Sequence, residues 1–352
     1  FAQASRTRSW KPDDLPQRGE MAEYGHLVGE ESRELLLGFM GVEYLVDDYV
    51  FAGIKAAGDS VTTEDLYNRW GEEERRHYQT FRHALIDSGL YKQEWVDDYL
   101  EEIPKGQWTF ELQTGYEGTP LLGSAYAIFQ ERHTRWNYRE TRIRLWLEYG
   151  SPVDASGRRV FPAIAGAIRF PEIDEGAHEA NFSSIVRIHL KYMPDQALEA
   201  LVKTSARYRM PVVQLPNGEQ FVEAVLAAGM GSPRSVIEQV MNPSLARMGL
   251  ESRAALRRAQ LRQLLRKLLR LHLLEAGAQL GQPPLVRRGV QRVVQAQLCG
   301  LLMLLLCSSP FLLGPLPPQL RFLRWADPII DTGVPIHPIQ RPIRLLTKIV
   351  AA

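Results

Sequence analysis

The chain has 352 residues, 45% of them hydrophobic and 24% charged, with a formal net charge of +1. That is enough for one large core or for a core with an appendage, and it offers no global electrostatic case for nucleic acid. The balance hides an asymmetry: from Glu251 onward 15 Lys and Arg face 4 Asp and Glu, a net +11, which leaves −10 on the first 250 residues. The only two cysteines, Cys299 and Cys307, lie in the basic tail, which excludes a disulfide framework and a Cys-based metal site and favours a reducing compartment. The sequence starts at Phe1 without a secretory signal, as a processed product or a fragment would.

Residues 1–28 read as an extended arm, because Ser9-Trp10-Lys11-Pro12-Asp13-Asp14-Leu15-Pro16 holds two prolines and no period. A first helix is expected over 29–56, with Leu36, Phe39, Met40, Glu43, Val46, Val50 and Ile54 on one face. Thr62 or Thr63 is placed to cap a second helix that runs to Ser88-Gly89 and carries the stripe Tyr67, Trp70, Glu74, His77, Phe81, Leu85. Residues 91–119 read as a shorter helix and a loop. A third main helix is expected over 120–149, with Gly123, Ala127, Glu131, Thr134 and Tyr138 on one face. The fourth carries Glu175, His178, Phe182, Ile185 and His189, and Pro171 makes it either start nearby or bend there.

Two more helices are expected over 195–208 and 219–230, split by a Pro-Asn-Gly turn at 216–218. After about residue 250 the texture changes. Residues 253–275 form a Leu/Arg pattern, and 281–352 alternate leucine runs with proline clusters. Leu298 to Leu316 is apolar, but Ser308-Ser309-Pro310, Gly314 and Pro315 break it at the short limit of a membrane span. The expected organisation is thus an arm at 1–28, a helical domain at 29–250 and a Leu/Arg/Pro-rich tail at 251–352.

Within the helical domain two Glu-x-x-His pairs stand out: Glu74-Arg75-Arg76-His77 and Glu175-Gly176-Ala177-His178. Each follows a helix with a lone glutamate on its apolar stripe, Glu43 before the first and Glu131 before the second. Residues at i and i+3 share a helix face, so each pair can grip one ion. Carboxylate and imidazole donors suit iron or manganese rather than soft metals. Four carboxylates and two imidazoles on four helices are the ligand set of a di-iron carboxylate bundle. Burial strengthens the reading, because a glutamate on an apolar stripe needs a compensating cation. Solvated helix faces are the competing reading, and the Glu-Glu-Glu-Arg-Arg-His run carries enough charge for it.

The segments around these residues resemble a known family, the soluble acyl-acyl-carrier-protein desaturases. Trp70-Gly71-Glu72-Glu73-Glu74-Arg75-Arg76-His77 is similar to its W-x-x-E-E-x-R-H segment. Phe129-Gln130-Glu131-Arg132-His133-Thr134 is similar to its F-Q-E-R-A-T, and Asp174-Glu175-Gly176-Ala177-His178-Glu179 to its D-E-x-x-H-E. Trp10 to Pro16 resembles its amino-terminal W-x-P-x-D-F-L-P, and Tyr49 and Tyr126 also fall in place. The resemblance covers roughly 8–245. It departs at His133, where the family has a small residue, at Gly176-Ala177, where it has bulkier ones, and throughout 251–352. That tail reads either as translation out of frame or as a basic, apolar appendage for partners or a membrane surface, the membrane being the weaker reading.

The resemblance implies an all-α, ferritin-like bundle with a di-iron core, extra helices and an atypical tail. It implies two iron ions held by Glu43, Glu74, His77, Glu131, Glu175 and His178. Thr134 would stand beside the oxygen-binding face, and Asp174 would support the ligands. Trp10 and Trp70 would serve electron input, and Leu122, Gly123 and Ala127 would line a bent acyl tunnel. It implies an O2-dependent desaturase that introduces a cis double bond into a saturated acyl chain on acyl carrier protein, fed with electrons by ferredoxin. The protein would be a homodimer in the cytoplasm, or in the plastid stroma if from a plant. Ordinary aromatic packing competes as the role of both tryptophans, and a helix-bonded hydroxyl as the role of Thr134. His133 is expected on the surface. The competing functions are another di-iron oxidase or oxygenase, and a ferritin-like ferroxidase.

Overall fold

The computed structural model describes residues 9–251 apart from 12, 13, 17, 107, 110, 112–114 and 211–214, together with 256, 259, 260 and 263. The contacts divide the chain into Phe1–Gln260 and Leu261–Ala352. The Leu/Arg helix expected over 253–275 falls almost wholly outside the described residues. The apolar stretch Leu298 to Leu316, Cys299, Cys307 and the rest of the tail fall wholly outside them.

The first unit is all-helical. Among the described residues the β pairing consists of one isolated antiparallel bridge between Val153 and Arg159. No described helix is long and apolar enough to cross a membrane. In chain order the helices are α1 (Arg18–Tyr24), α2 (Glu30–Tyr44), α3 (Val46–Ala57), α4 (Val61–Asp87), α5 (Gln93–Glu101), α6 (Pro120–Glu148), α7 (Ala163–Tyr192), α8 (Pro194–Arg207) and α9 (Gly218–Ala227). A last helical stretch follows through Pro233–Ser235, the π-helical Val236–Met241 and Asn242–Arg247.

The long helices start and stop where their ends are satisfied. Ser60, rather than Thr62 or Thr63, caps α4 by accepting from the Thr63 N–H, and Gly89 takes the left-handed φ of 75° that ends it. Thr119 caps α6 by accepting from the Leu122 N–H, with Pro120 at the first helical position. The helix α6 packs chiefly on α7, α2 and α3 pack on α4, and α4 packs on α7. These contacts assemble a ferritin-like bundle whose core is filled by large side chains such as Tyr126, Tyr138, Phe81, Phe129 and Phe182. Two glycines permit close approaches between helices. A Cβ on Gly71 would sit 2.3 Å from Val50 Cγ2, and one on Gly38 would sit 2.1 Å from the Phe221 ring.

Two expectations change, and one of two alternatives falls. The helix over 29–56 is two helices, broken at Leu45, whose N–H returns to Val42 O; the Tyr49 hydroxyl donates to the same carbonyl. The arm at 1–28 contains α1 and a short 3-10 turn at Gly25–Leu27, and it buries Trp10, Leu15, Met21 and Val28. Here tertiary burial overrides weak local periodicity. The fourth main helix begins at Ala163, eight residues before Pro171, so Pro171 lies inside α7.

Candidate metal centre

Glu43 comes from the last turn of α2, Glu74 and His77 from the middle of α4, Glu131 from α6, and Glu175 and His178 from α7. All six side chains are buried, the most accessible at 5%. The structure gathers them into two groups with converging donor atoms: Glu43, Glu74, His77 and Glu175 in one, and Glu74, Glu131, Glu175 and His178 in the other. Glu74 and Glu175 belong to both, so each is placed to bridge two ions, while each imidazole serves one. The two imidazole centroids lie 5.8 Å apart.

The inward atoms are arranged as ligands rather than as a hydrogen-bonded network. His77 Nδ1 lies 2.8 Å from Glu74 Oε2 and 3.4 Å from Glu175 Oε1. His178 Nδ1 lies 3.0 Å from Glu74 Oε1 and 3.3 Å from Glu131 Oε2. Two donors bound cis to one ion at about 2.1 Å are separated by about 3 Å. Yet His77 Nδ1, Glu74 Oε1, Glu131 Oε1 and Glu175 Oε2 are buried without a hydrogen bond of good geometry. In each group the donor atoms lie within 4.8 Å of one another, which suits a divalent cation pair and offers oxygen and nitrogen donors of the kind iron accepts.

The electrostatics agree. Burial, reinforced by the charges of Glu74 and Glu175, holds the Glu43 carboxyl well above its ordinary value. Burial and the Glu175 charge do the same to Glu131. Glu74 moves the other way: burial opposes ionisation, but the charges of His77 and His178 outweigh it. Both imidazoles are held well above their ordinary value: burial opposes this, but the Glu74 charge and the hydrogen bonds to the surrounding carboxylates together outweigh it. A cation at the centre would let all four carboxylates ionise and both imidazoles turn neutral.

The outer nitrogens are tied down symmetrically. His77 Nε2 lies 3.4 Å from Asp174 Oδ2, and His178 Nε2 lies 2.7 Å from Glu73 Oε2. Such carboxylate–imidazole pairs fix ring orientation and strengthen the ligand. The Asp174 carboxyl sits below its ordinary value, burial being outweighed by the His77 hydrogen bond together with the charges of His77 and His178 and the Trp10 N–H. The Trp10 indole N–H donates to Asp174 at 2.8 Å. The Arg76 guanidinium lies 3.8 Å from both Glu73 and Asp174 and over the Trp10 ring. Trp70 lies edge-on to the His178 ring.

A family model described as fatty acid desaturase matches residues 54–263. The chain belongs to the fatty acid desaturase family. It is 27% identical over 229 residues to the chloroplastic stearoyl-acyl-carrier-protein 9-desaturase 4 of Arabidopsis thaliana, an alignment covering 60% of this chain and 53% of that protein. It is 24% identical over 182 residues to the putative acyl-acyl-carrier-protein desaturase DesA1 of Mycobacterium tuberculosis, covering 51% of this chain and 49% of that one. The chain thus spans about half the length of the curated relatives it matches. The carboxylate–imidazole cluster is a site able to hold metal.

Beside the cluster lies a largely apolar cavity of about 520 Å³, with Glu43, Thr134 and Tyr138 in its wall. The Thr134 hydroxyl donates to Gln130 O, and the Tyr138 hydroxyl donates to Glu43. Leu122, Gly123 and Ala127 do not line this cavity. They lie before Glu131 on α6, whereas the cavity faces the later segment of that helix. Leu122 instead lines a separate cavity of about 350 Å³. His133 is not on the surface. It is 6% exposed, stacked on Trp136, and its Nδ1 lies 3.1 Å from the Tyr208 hydroxyl. Burial pushes its imidazole down to about 4. The surface expectation failed because the last helical stretch covers that face of α6. Glu73 and Arg76 were given no role in the sequence, although both fall on fixed letters of the W-x-x-E-E-x-R-H segment that Trp70–His77 resembles.

Proposed function

We propose that this protein is an O2-dependent desaturase of acyl chains carried on acyl carrier protein. The observation that carries the reading is the placement of the six-ligand cluster against an apolar cavity, with Glu43 common to both. The overall reaction takes a saturated chain, dioxygen, two electrons and two protons to a cis-unsaturated chain and two water molecules. Ferredoxin is the proposed electron donor, the subunits pair as a homodimer, and 29–250 forms the catalytic domain.

In this reading Glu43, Glu74, His77, Glu131, Glu175 and His178 hold two iron ions. Bound iron supplies dioxygen activation and the strength to break an unactivated C–H bond, which no side chain provides. The protein's own work is positioning. A cavity of about 520 Å³ falls within the range of ligand pockets, roughly 300–1,000 Å³, and its apolar wall binds hydrocarbon while excluding water. Phe39 and Phe221 form edge-on aromatic walls, and Thr134 presents a hydroxyl on the Glu43 side. Asp174 and Glu73 keep the two imidazoles oriented, while Trp10 and Trp70 are the proposed route for electrons from the surface.

The test is the mass of the acyl product when iron-loaded protein, acyl-carrier-protein thioesters, dioxygen and a ferredoxin reducing system are combined. Loss of two hydrogens is expected. Gain of one oxygen would move the protein to an oxygenase on the same scaffold, and an unchanged chain with iron oxidised would make it a ferroxidase.

A further inference from the structure

We infer that the acyl chain taken by the large cavity carries a hydroxyl group, and that His133 and Asn137 bind it. The inference rests on the acyl reading above and narrows its substrate class. Most of the cavity wall is hydrocarbon, supplied by residues such as Phe39, Val42, Phe221, Val225, Ile237 and Met241. Into it α6 presents His133 and Asn137, four residues apart and therefore on one face. They are 6% and 5% exposed, and His133 Nε2 and Asn137 Oδ1 are buried without a hydrogen bond.

The metal centre does not account for these two atoms. Neither residue belongs to a ligand group of the metal centre. Three other polar side chains of the wall are engaged: Thr134 with Gln130 O, Tyr138 with Glu43, and Ser205 with Val202 O. The ring of His133 is held by Trp136 and Tyr208; the Met230 backbone lies beside it, but Nε2 makes no hydrogen bond of good geometry with it. A plain saturated chain would seal both atoms against hydrocarbon, which opposes binding. A hydroxyl both donates and accepts, so it can accept from a protonated Nε2 while donating to Asn137 Oδ1. An ordered water held by the two residues is the competing occupant.

The experiment measures binding and turnover of acyl-carrier-protein thioesters of one chain length, either unsubstituted or with one hydroxyl at successive carbons. The full chain is used, and dissociation constants are read separately from product mass. At one hydroxyl position, binding about tenfold or more tighter than the plain chain is expected. That preference should vanish in His133→Ala and partly survive in His133→Gln, which keeps a hydrogen-bonding end. Asn137→Leu, with circular dichroism to confirm folding, should reduce the same preference. If the plain chain binds as tightly as every hydroxylated one, or if His133→Ala leaves the preference unchanged, the inference is overturned while the desaturase reading stands. If no acyl chain binds or loses hydrogen, both are overturned.

Discussion

The two halves of the metal centre are built alike and braced differently. Each has a Glu-x-x-His pair, and each imidazole is backed by a carboxylate from the opposite helix: His77 of α4 by Asp174 of α7, and His178 of α7 by Glu73 of α4. Beyond that the symmetry ends. Asp174 receives the Trp10 indole N–H from the amino-terminal arm. On the other side Trp70 contacts the His178 ring with its aromatic edge, and its indole nitrogen has no hydrogen bond. The lone glutamates differ as well, since Glu43 accepts from Tyr138 while Glu131 Oε1 is unpaired. One half is tied to a distant part of the chain, and the other is held within α4, α6 and α7.

The largest effects should come from ligands common to both halves. Glu74→Ala removes a donor from both groups, so metal analysis should find neither ion retained and no turnover. His77→Ala and His178→Ala each remove a donor from one group only. Each should retain at most the other ion and still lose activity, because the pair is needed. Full activity with two irons in any of these variants would sink the assignment of the cluster.

Next come the bracing carboxylates. Asp174→Asn and Glu73→Gln keep shape but weaken the pull on the imidazole, and such changes cost about 10–100-fold in metal affinity. The two should be unequal. Asp174→Asn also weakens the bond from Trp10 and the contact with Arg76, so its loss should exceed that of Glu73→Gln in titrations with ferrous ion. Equal losses would mean that the arm adds nothing to the His77 half.

That inequality was hidden in the sequence for a physical reason. The pairs at 74–77 and 175–178 were legible because i,i+3 spacing on a helix is a local property, and Glu43 and Glu131 showed by sitting on apolar stripes. Asp174 came into view through the resemblance of its segment. Glu73 did not stand out, because whether a glutamate in Glu72-Glu73-Glu74 faces water or His178 is decided by the α4–α7 contact, which no local pattern encodes. The break at Leu45 and the burial of His133 have the same origin: each depends on what a distant helix lays against the chain. The cavity wall was the least legible, since it draws on α2, α6, α9 and the last helical stretch together.

A smaller effect is expected at the lone glutamates. Tyr138→Phe deletes the hydroxyl that donates to Glu43 and leaves a buried carboxyl oxygen without its partner, a loss of about 1–3 kcal/mol. Denaturant titration of the metal-free protein should show it. Metal-loaded protein should show less, because an ion can satisfy the same oxygen, and the Glu131 half should keep its affinity.

The smallest difference should be the one between the two tryptophans. Trp10→Phe keeps an aromatic ring against Phe170 and Arg76 but removes the N–H bonded to a carboxylate, a contact of about 1.5–3 kcal/mol. Trp70→Phe removes an N–H that bonds to nothing, so its cost is confined to lost ring area against His178 and Phe182, about 1 kcal/mol at the rate for buried apolar surface. Thermal unfolding of both variants beside the parent should therefore rank Trp10→Phe as the more destabilised. The reverse order would show that the arm docks by its apolar surface alone and that the indole–Asp174 bond adds nothing to stability, leaving the orientation of His77 as its remaining use.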